Sequence, residues 1–288
     1  MRRIFFLPIL LFAVFAGVLL VAPPRAQAIT YGYVDKNNTY SNVGAFIIKS
    51  PTGEIYALCT GTLITPNVFL TASHCTEYFT ETLAPLGYTA YVSFDNPIPT
   101  GSLTSRKTKL YAVSYVVTNP DYNQSQSDSG DIGVLILQNN VKGITPATLP
   151  TCGLLDQLAA QNGLKDAVFT AVGYGLQNRI VGGGQPYFQD SNPIPRMYAY
   201  SSFNALSPGY LRLSQNPATG NGGTCYGDSG GPNFLTVGGQ QILVAITTTG
   251  DTACQSTNVD YRLDTTSASA FLQYVNTTYE TSIPIPCA

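Results

Sequence analysis

Three short segments contain the residue types that nucleophilic catalysis by a serine requires. One segment, LTASHC, contains His74, the single histidine of the chain; a second, GDIGVLIL, places Asp131 directly before an apolar run; a third, TCYGDSGGP, places Ser229 in a glycine-rich turn. A serine hydroxyl is a weak nucleophile at neutral pH and needs an adjacent base. Imidazole has a suitable pKa for that base, and a carboxylate can orient the ring and stabilise its protonated form. The sequence therefore supplies all three groups of a Ser-His-Asp site.

Each segment also has a purely structural interpretation when taken alone. A lone histidine after a strand is more often structural than catalytic, and an aspartate before an apolar strand is usually a solvated turn residue. GDSGGP could be an ordinary glycine-rich turn. The joint occurrence of the three segments favours the catalytic interpretation.

Together the segments resemble the chymotrypsin/trypsin-like serine protease family, in which the catalytic residues follow the order His, Asp, Ser. TAxHC and GDSGGP are the specific motifs, and the resemblance spans essentially the whole mature chain. It implies that His74 is the general base and later the general acid, that Asp131 orients it, and that Ser229 is the nucleophile. Asp128, three residues earlier, is a rival for the role of Asp131.

The resemblance implies two further features of the nucleophile turn. The backbone N–H groups of Gly227 and Ser229 would form an oxyanion hole, where preorganised donors meet the negative charge that develops in the transition state. Asp228 would pair with a free ammonium group that activates the enzyme. Leader cleavage after the Ala-Gln-Ala site would expose that ammonium at Ile29, with no separate propeptide.

The resemblance also aligns residues with the specificity pocket. These are Gly223 at the floor, Thr224 beside it, Thr248, Thr249 and Gly250 at the neck, and Val259 at the back wall. Trypsin-like members carry an aspartate at the floor, so Gly223 predicts cleavage after neutral residues, small to medium apolar ones above large aromatic ones. A register shift of one residue would instead place Asp260 in the pocket and restore a preference for Lys or Arg.

Six cysteines follow the leader, and an even number in an exported chain suggests three disulfides. Spacing alone leaves all fifteen pairings open. By analogy with the family, Cys59 would pair with Cys75 and Cys225 with Cys254. Cys152 with Cys287 then follows by exclusion.

Many short apolar or β-branched runs, bounded by turn-forming residues, predict an all-β chain. One segment near the end departs from this pattern: Ala268, Phe271, Leu272 and Val275 have helical spacing and predict a C-terminal helix. The resemblance implies two packed six-stranded antiparallel β-barrels, at about 29–150 and 151–288. His74 and Asp131 would come from the first barrel and Ser229 from the second.

The N-terminal segment predicts the compartment. Arg2 and Arg3 precede an apolar run, and a small-residue site ends at Ala28. This order is typical of a secretory signal peptide, here residues 1–28, which predicts a secreted protein. The apolar run is long, so a membrane anchor that is not cleaved is the alternative.

Composition excludes several other classes of function. Charged residues make up 10% of the 288-residue chain, and removing the three arginines of the leader leaves 11 basic against 16 acidic residues. Such a chain is a poor candidate for nucleic-acid binding. With a single histidine and no clustered thiols, we expect no metal and no cofactor. The partners expected are polypeptide substrates, with no stable membrane partner once the leader is cleaved, and the chain is expected to be monomeric.

The leading hypothesis is a secreted serine endopeptidase. The alternatives are a catalytically idle homologue that serves as a binding module, and an esterase or acyltransferase that uses the same three residues.

Overall fold

The chain forms two closed six-stranded antiparallel β-barrels with a helix at its C-terminal end, which confirms the predicted fold class. The structure is a computed structural model that describes residues 29–101, 108–177, 179–180, 187–188 and 191–288. The predicted signal peptide, residues 1–28, lies outside the described residues.

The first barrel closes in the order β2-β3-β4-β7-β6-β5. Its strands are β2 (Val43–Lys49), β3 (Ile55–Thr65), β4 (Val68–Thr71), β5 (Thr89–Ser93), β6 (Tyr111–Val117) and β7 (Gly133–Leu137). A short strand, β1 (Tyr33–Val34), precedes the barrel and pairs with the second barrel instead.

The second barrel closes in the order β8-β11-β12-β15-β14-β13, because β11 also pairs with β8. Its strands are β8 (Val168–Gly173), β11 (Met197–Leu206), β12 (Tyr210–Ser214), β13 (Pro232–Val237), β14 (Gln240–Gly250) and β15 (Thr257–Arg262). Between β8 and β11, β9 (Arg179–Ile180) and β10 (Tyr187–Phe188) pair with each other.

In the described ranges, three α-helices accompany the barrels: α1 (Ser73–Tyr78), α2 (Leu154–Ala160) and α3 (Thr266–Tyr279). The predicted C-terminal helix is α3, and the Thr265 side chain accepts a hydrogen bond from the N–H of Ala268 at its start. The sequence pattern did not predict α2. No helix of the described ranges combines the length and the apolar character that crossing a bilayer requires.

Both faces of a strand such as β7 are buried, which explains why its sequence is a continuous apolar run. In β7, Val134 and Ile136 belong to an apolar cluster that includes residues of both barrels and of α3. Leu135 and Leu137 belong to the interior of the first barrel. Since successive side chains of a strand point to opposite faces, one strand contributes to both cores.

The strand pairing brings two distant segments of the first barrel together. β4 pairs with β7 in antiparallel fashion, with Thr71 opposite Gly133. The chain leaves β4 into α1, and it enters β7 from the segment that contains Asp131. The fold therefore places the start of α1 beside Asp131.

Three disulfides form, in the pairs that the family resemblance implies. They join Cys59 to Cys75, Cys152 to Cys287, and Cys225 to Cys254. The first fastens α1 to β3, and the second fastens the C-terminal end of the chain to the connection between the barrels.

A buried ion pair ties the N-terminal segment to both barrels. Arg196 is fully buried, and its Nε lies 2.9 Å from Oδ2 of the buried Asp35. Nη1 of Arg196 donates to the carbonyl oxygen of Val43 at 3.0 Å and to the hydroxyl of Tyr174 at 3.1 Å. Because these partners come from three separate segments, the guanidinium group links the segment before β2 to the contact between the barrels.

We expect Arg196→Met to lower the free energy of unfolding by about 3–5 kcal/mol, because it leaves the carboxylate of Asp35 buried without its cation. Urea unfolding measures this change. The matched control is Arg212→Met, at an exposed arginine with no ion pair among the described residues, which should change the value by no more than about 0.5 kcal/mol. A loss for Arg196→Met as small as the control's would contradict a structural role for the pair.

Candidate active site

His74 and Asp131 face each other across the ends of β4 and β7. Nδ1 of His74 lies 2.9 Å from Oδ2 of Asp131, and the backbone N–H of His74 donates to Oδ1 at 2.9 Å. Asp131 is buried, whereas 27% of the His74 side chain is exposed. A carboxylate at Nδ1 fixes the ring and favours the tautomer with the proton on Nδ1, so that Nε2 can accept a proton.

Two polar residues that the sequence analysis missed hold the segment around Asp131. The hydroxyl of the buried Ser73 donates to the carbonyl oxygen of Ile132 at 2.8 Å and accepts from the N–H of Asn119 at 3.0 Å. Nδ2 of Asn119 donates to the carbonyl oxygen of Gly130 at 3.0 Å. Both neighbours of Asp131 are therefore fixed through their backbone. A buried hydroxyl directly before the histidine was the available signal.

Asp128, the rival carboxylate, has different partners. Its Oδ1 accepts a hydrogen bond from the hydroxyl of Tyr261 at 2.9 Å and one from the N–H of Gly130 at 3.2 Å. Among the described contacts it makes no hydrogen bond to His74, so the structure brings Asp131 and not Asp128 to the imidazole.

Ser229 lies on the turn before β13, against the first barrel. Its carbonyl oxygen accepts a hydrogen bond from the N–H of Thr60 at 3.0 Å. The next residue, Gly230, has φ 75°, and a side-chain carbon there would lie only 2.5 Å from the nitrogen of Ala72, two residues before His74. This close approach requires a glycine, and it brings the Ser229 turn next to the histidine segment.

In this turn, every second backbone N–H group lacks a hydrogen-bond acceptor within the described residues. The N–H of Asp228 donates to the carbonyl oxygen of Cys225 at 3.0 Å, and that of Gly230 donates to Thr247 at 2.7 Å. Within the described part of the chain, the N–H groups of Gly227 and Ser229 donate to no protein acceptor. Gly227 has φ 95°, a backbone conformation that side chains disfavour. The turn thus presents two free donors on either side of Asp228.

The carboxylate of Asp228 is fully buried behind this turn. Oδ1 accepts from the N–H of Gly175 at 2.8 Å, and Oδ2 accepts from the N–H of Cys225 at 2.9 Å. Burial raises the pKa of Asp228 to about 7, although the two hydrogen bonds act in the opposite direction. In the described residues no cation lies within ion-pair distance of it. A buried carboxylate of this kind is a strong acceptor for a positive charge.

The segment that starts at Ile29 runs directly beside this region. The side chain of Ile29 is fully buried against Ala171, Met197 and Ala199. Thr30 and Gly223 exchange two backbone hydrogen bonds of 2.9 and 3.0 Å. The fold therefore anchors the residue after Ile29 five positions before Asp228.

The predicted pocket residues are only partly brought together. Thr224 donates from its hydroxyl to Oδ1 of Asn258 at 2.7 Å, and both residues are buried. Val259, the predicted back wall, lies on the other face of β15 and lines the cleft beside His74. Asn258, one residue before Val259, contacts Thr224, and Val259 shares the cleft with Thr248 and Thr249 of the predicted neck.

A β-bulge lies in the adjoining pair of strands, because the pairing of β14 with β15 shifts register between Thr247 and Thr249. Asp260 also does not reach Thr224. It is fully buried, and its Oδ1 accepts from Nδ2 of Asn233 at 2.7 Å, whose Oδ1 in turn accepts from Asn258. Burial raises the pKa of Asp260 well above its ordinary value.

A cleft of about 390 Å³ opens between the two barrels at His74. One wall comes from the first barrel and the other from β12, β14 and β15 of the second. Its lining residues are His74, Tyr122, Gln124, Ser129, Asp131, Tyr210, Arg212, Thr248, Thr249 and Val259. Thr248 and Thr249 of the predicted pocket neck thus face the histidine across a space that can hold an extended chain.

One cluster near the site has metal-ligand residue types. Ligand atoms of Cys59, His74 and Cys75 lie within 4.8 Å of one another. The two sulfurs are bonded to each other, and metals bind thiolates rather than disulfide sulfurs. The arrangement is therefore not a metal centre.

Comparison with known proteins identifies the family of the chain. The family model described as Trypsin matches residues 33–272, which is most of the chain. The chain is similar to a vitellin-degrading protease of Bombyx mori, with 28% identity over 60% of this chain and 61% of that protein. It is also similar to the CLIP domain-containing serine protease B15 of Anopheles gambiae, with 28% identity over 70% of this chain and 56% of that protein.

A chymotrypsin of Phaedon cochleariae is 27% identical over 81% of this chain and 75% of its own length. The matches to the silkworm and mosquito proteins span only about six tenths of those proteins. From the extent of the family match and the double-barrel fold, the chain belongs to the trypsin family of serine proteases.

Proposed function

We propose that this chain is a secreted serine endopeptidase that cleaves polypeptides through an acyl-enzyme intermediate. The observation that carries the proposal is the pairing of His74 with Asp131, 2.9 Å apart, next to a turn that presents Ser229 and two unengaged N–H groups. The vitellin-degrading protease among its relatives is, by its name, a proteolytic enzyme.

The geometry supports a definite sequence of bonds. His74 Nε2 takes the proton of the Ser229 hydroxyl while Oγ forms a bond to the substrate carbonyl carbon. His74 then gives this proton to the leaving amine as the C–N bond breaks, which leaves Ser229 acylated. Water then attacks the carbonyl carbon of the acyl group while His74 takes its proton. His74 returns the proton to Oγ of Ser229 as the ester bond breaks, which releases the acid product and the free serine. Asp131 stabilises the imidazolium in both halves.

The N–H groups of Gly227 and Ser229 supply the electrostatic part of catalysis. The carbonyl oxygen gains negative charge in each tetrahedral transition state, and donors already held in place need no reorganisation to meet it. Their unengaged state supports this role, because neighbouring N–H groups of the same turn are hydrogen-bonded to protein.

The pocket favours neutral side chains. Gly223 offers no carboxylate, and Asp260 is separated from Thr224 by the hydrogen-bonded side chains of Asn258 and Asn233. Because Asp260 is buried and its pKa is raised, it is a poor counter-ion for a lysine or arginine of the substrate.

Activation uses the amino group of Ile29. Cleavage after Ala28 by the enzyme that removes the leader would create an ammonium group at the buried Ile29. Its neighbour Thr30 pairs with Gly223, five positions before Asp228, and Asp228 has no cation partner among the residues that the structure describes. Ile29 has φ 56° in the uncleaved chain, which strains a β-branched residue. Cleavage removes the preceding peptide unit and with it this strain. The leader and the three disulfides support export to an oxidising compartment.

We expect a fluorophosphonate to label the purified chain 29–288 stoichiometrically at Ser229, because a serine activated by His74 attacks the phosphorus. Mass spectrometry of the digested adduct locates the label. Ser229→Ala should abolish labelling, while Ser202→Ala, a matched change on β11, should leave it intact. Asp131→Asn should slow peptide hydrolysis by about 10⁴-fold, since the imidazole loses its orienting carboxylate. A folded, disulfide-bonded chain that is not labelled would instead identify an idle binding homologue.

We expect the free energy of unfolding to depend on pH through Asp228. This dependence should be weaker in the chain that begins at Ile29 than in a longer chain that retains Gln27 and Ala28. A chain that retains Gln27 and Ala28 keeps a folded-state pKa of about 7 for Asp228 against 3.8 ordinarily. The folded state then binds the proton more tightly. The resulting stabilisation is complete below about pH 4 and is lost as the pH rises to 7, by about 4 kcal/mol in total. An ammonium at Ile29 offsets this loss.

Urea unfolding between pH 4 and 7.5 measures the difference between the two chains, and N-terminal sequencing of secreted protein identifies the natural start. Asp228→Asn should remove the difference, because both chains then lack the titrating group. The activation proposal is contradicted if the free energy of unfolding varies equally with pH in the chains that begin at Gln27 and at Ile29. A natural start other than Ile29 also contradicts it.

A further inference from the structure

The cleft beside His74 is lined by an arginine that the proposed mechanism does not use. Arg212 is exposed on β12, and it lines the cleft of about 390 Å³ together with His74. Its neighbours along the strand, Leu211 and Leu213, belong to the apolar interior of the second barrel. Since successive side chains of a strand point to opposite faces, Arg212 projects away from that interior and toward the cleft.

The positive charge of Arg212 has no counter-ion in the part of the chain that the structure describes. The ion pairs formed there involve other groups. Of the described residues that line the cleft, Asp131 is the one carboxylate, and it already accepts hydrogen bonds from the backbone N–H and Nδ1 of His74. An arginine side chain stays protonated in proteins. The cleft therefore offers an anionic group a cation for which no described carboxylate competes.

An apolar side chain lies between Arg212 and the strand nearest to the Ser229 turn. The strand register places Arg212 opposite Val259 on β15 and Val259 opposite Thr249 on β14, and all three residues line the cleft. Because neighbouring strands lie about 4.8 Å apart, Arg212 and Thr249 are about 10 Å apart across the sheet. A substrate side chain that reaches Arg212 from Thr249 therefore passes over Val259.

The first barrel adds a neutral donor to the same cleft. Tyr122 and Gln124 line it, and Nε2 of Gln124 donates a hydrogen bond to the hydroxyl of Tyr122. A hydroxyl that accepts a hydrogen bond keeps its own proton for another acceptor. Burial raises the pKa of Tyr122 to about 12, so this proton is present at neutral pH. The hydroxyl of Tyr122 is thus available as a second donor to a carboxylate in the cleft.

Tyr210 fastens the strand of Arg212 to the first barrel. It lies two residues before Arg212 on the same face of β12, and its hydroxyl donates to Oγ of Ser129 at 2.5 Å. The backbone N–H of Ser129 donates back to this hydroxyl at 3.3 Å. Because Ser129 is two residues before Asp131, these bonds hold β12 in place beside the His74–Asp131 pair. A ligand then meets a site whose walls are already positioned.

We propose that Arg212 selects polypeptide substrates that carry a glutamate near the scissile bond. The glutamate carboxylate pairs with the guanidinium group, whose planar shape allows two parallel hydrogen bonds, and its methylene groups pack on Val259. Aspartate is shorter and is bound less well. Since His74 contacts the scissile bond and lines the same cleft, the glutamate lies within about four residues of that bond. The assignment rests on the proposed endopeptidase function, to which it adds a substrate class.

The first measurement maps the sites that the unaltered chain 29–288 cleaves in peptides from a whole-cell protein digest. We expect glutamate to be enriched at a position within about four residues of the scissile bond. One cleaved peptide is then synthesised with Glu, Asp or Gln at that position, where Gln is the neutral match to Glu in size. We expect kcat/KM to be about fivefold higher for Glu than for Gln. The ratio should fall in about 0.5 M NaCl, because salt screens exposed charges.

Variants of Arg212 assign this preference to its charge. Arg212→Met keeps an aliphatic side chain without the charge, so the Glu/Gln ratio should fall to about one. Arg212→Glu should reverse the preference, so that a peptide with Lys at this position is cleaved faster than one with Gln. Lys165→Met is the matched control, because it removes an exposed positive charge that does not line the cleft. It should keep the ratio of the unaltered chain.

Fluorophosphonate labelling of Ser229 separates the role of Arg212 from the proposed function. A chain that is not labelled, or that is labelled but cleaves no peptide, overturns both. Labelling and cleavage without enrichment of glutamate overturn the role of Arg212 alone. The same conclusion follows if Arg212→Met keeps the fivefold ratio, or if Lys165→Met lowers the ratio equally. If neither Arg212 variant folds, the Glu/Gln ratio of the unaltered chain and its dependence on salt still decide.

Discussion

Asp228 places a carboxylate inside the second barrel with two backbone N–H donors and, within the described residues, no cation. Burial without a counter-ion is costly, so the surrounding backbone must turn toward the carboxylate to supply hydrogen bonds. Cys225 and Gly175 do so, and the chain between Cys225 and Ser229 curls around the carboxyl group. Within the described residues, the N–H groups of Gly227 and Ser229 donate to no protein acceptor. One buried carboxyl group thus links the path of the turn to the close packing of Gly175.

The site lies where the two barrels meet, and the same contact stabilises the whole chain. An apolar cluster shared by both barrels and α3 fixes their relative position, and the buried Arg196 adds hydrogen bonds to both sides of this contact. His74 and Ser229 belong to different barrels, so any slip along the contact would separate them. Behind the cleft, the second barrel buries uncharged polar groups: Thr224 and Asn258 bond to each other, and Gln215 packs against Gly223.

Much of this arrangement is local in sequence and could be predicted from it. The motifs around His74 and Ser229 identify the site because nucleophilic chemistry needs those residue types, whichever strands carry them. Asp131 could be preferred to Asp128 because it directly precedes an apolar strand. The helix α3 was predictable from its apolar spacing and its Thr265 cap, since both signals lie within one element. The all-β class follows from short apolar runs, and the number and closure of the barrels came with the family resemblance.

Other features depend on residues that only the folded chain brings together. The short helix α2 begins where the N–H of Leu155 donates to Asp264, 109 residues later, so no local pattern announces it. The side chains of Thr224 and Asn258, 34 residues apart, meet in a buried hydrogen bond that no local pattern indicates. Gln215, directly after β12, fills the space at Gly223. The sequence by itself determined which chemical groups are present and which short segments carry them. The tertiary structure decided which groups share a buried space, because register, long-range capping and burial arise only when distant strands pack together.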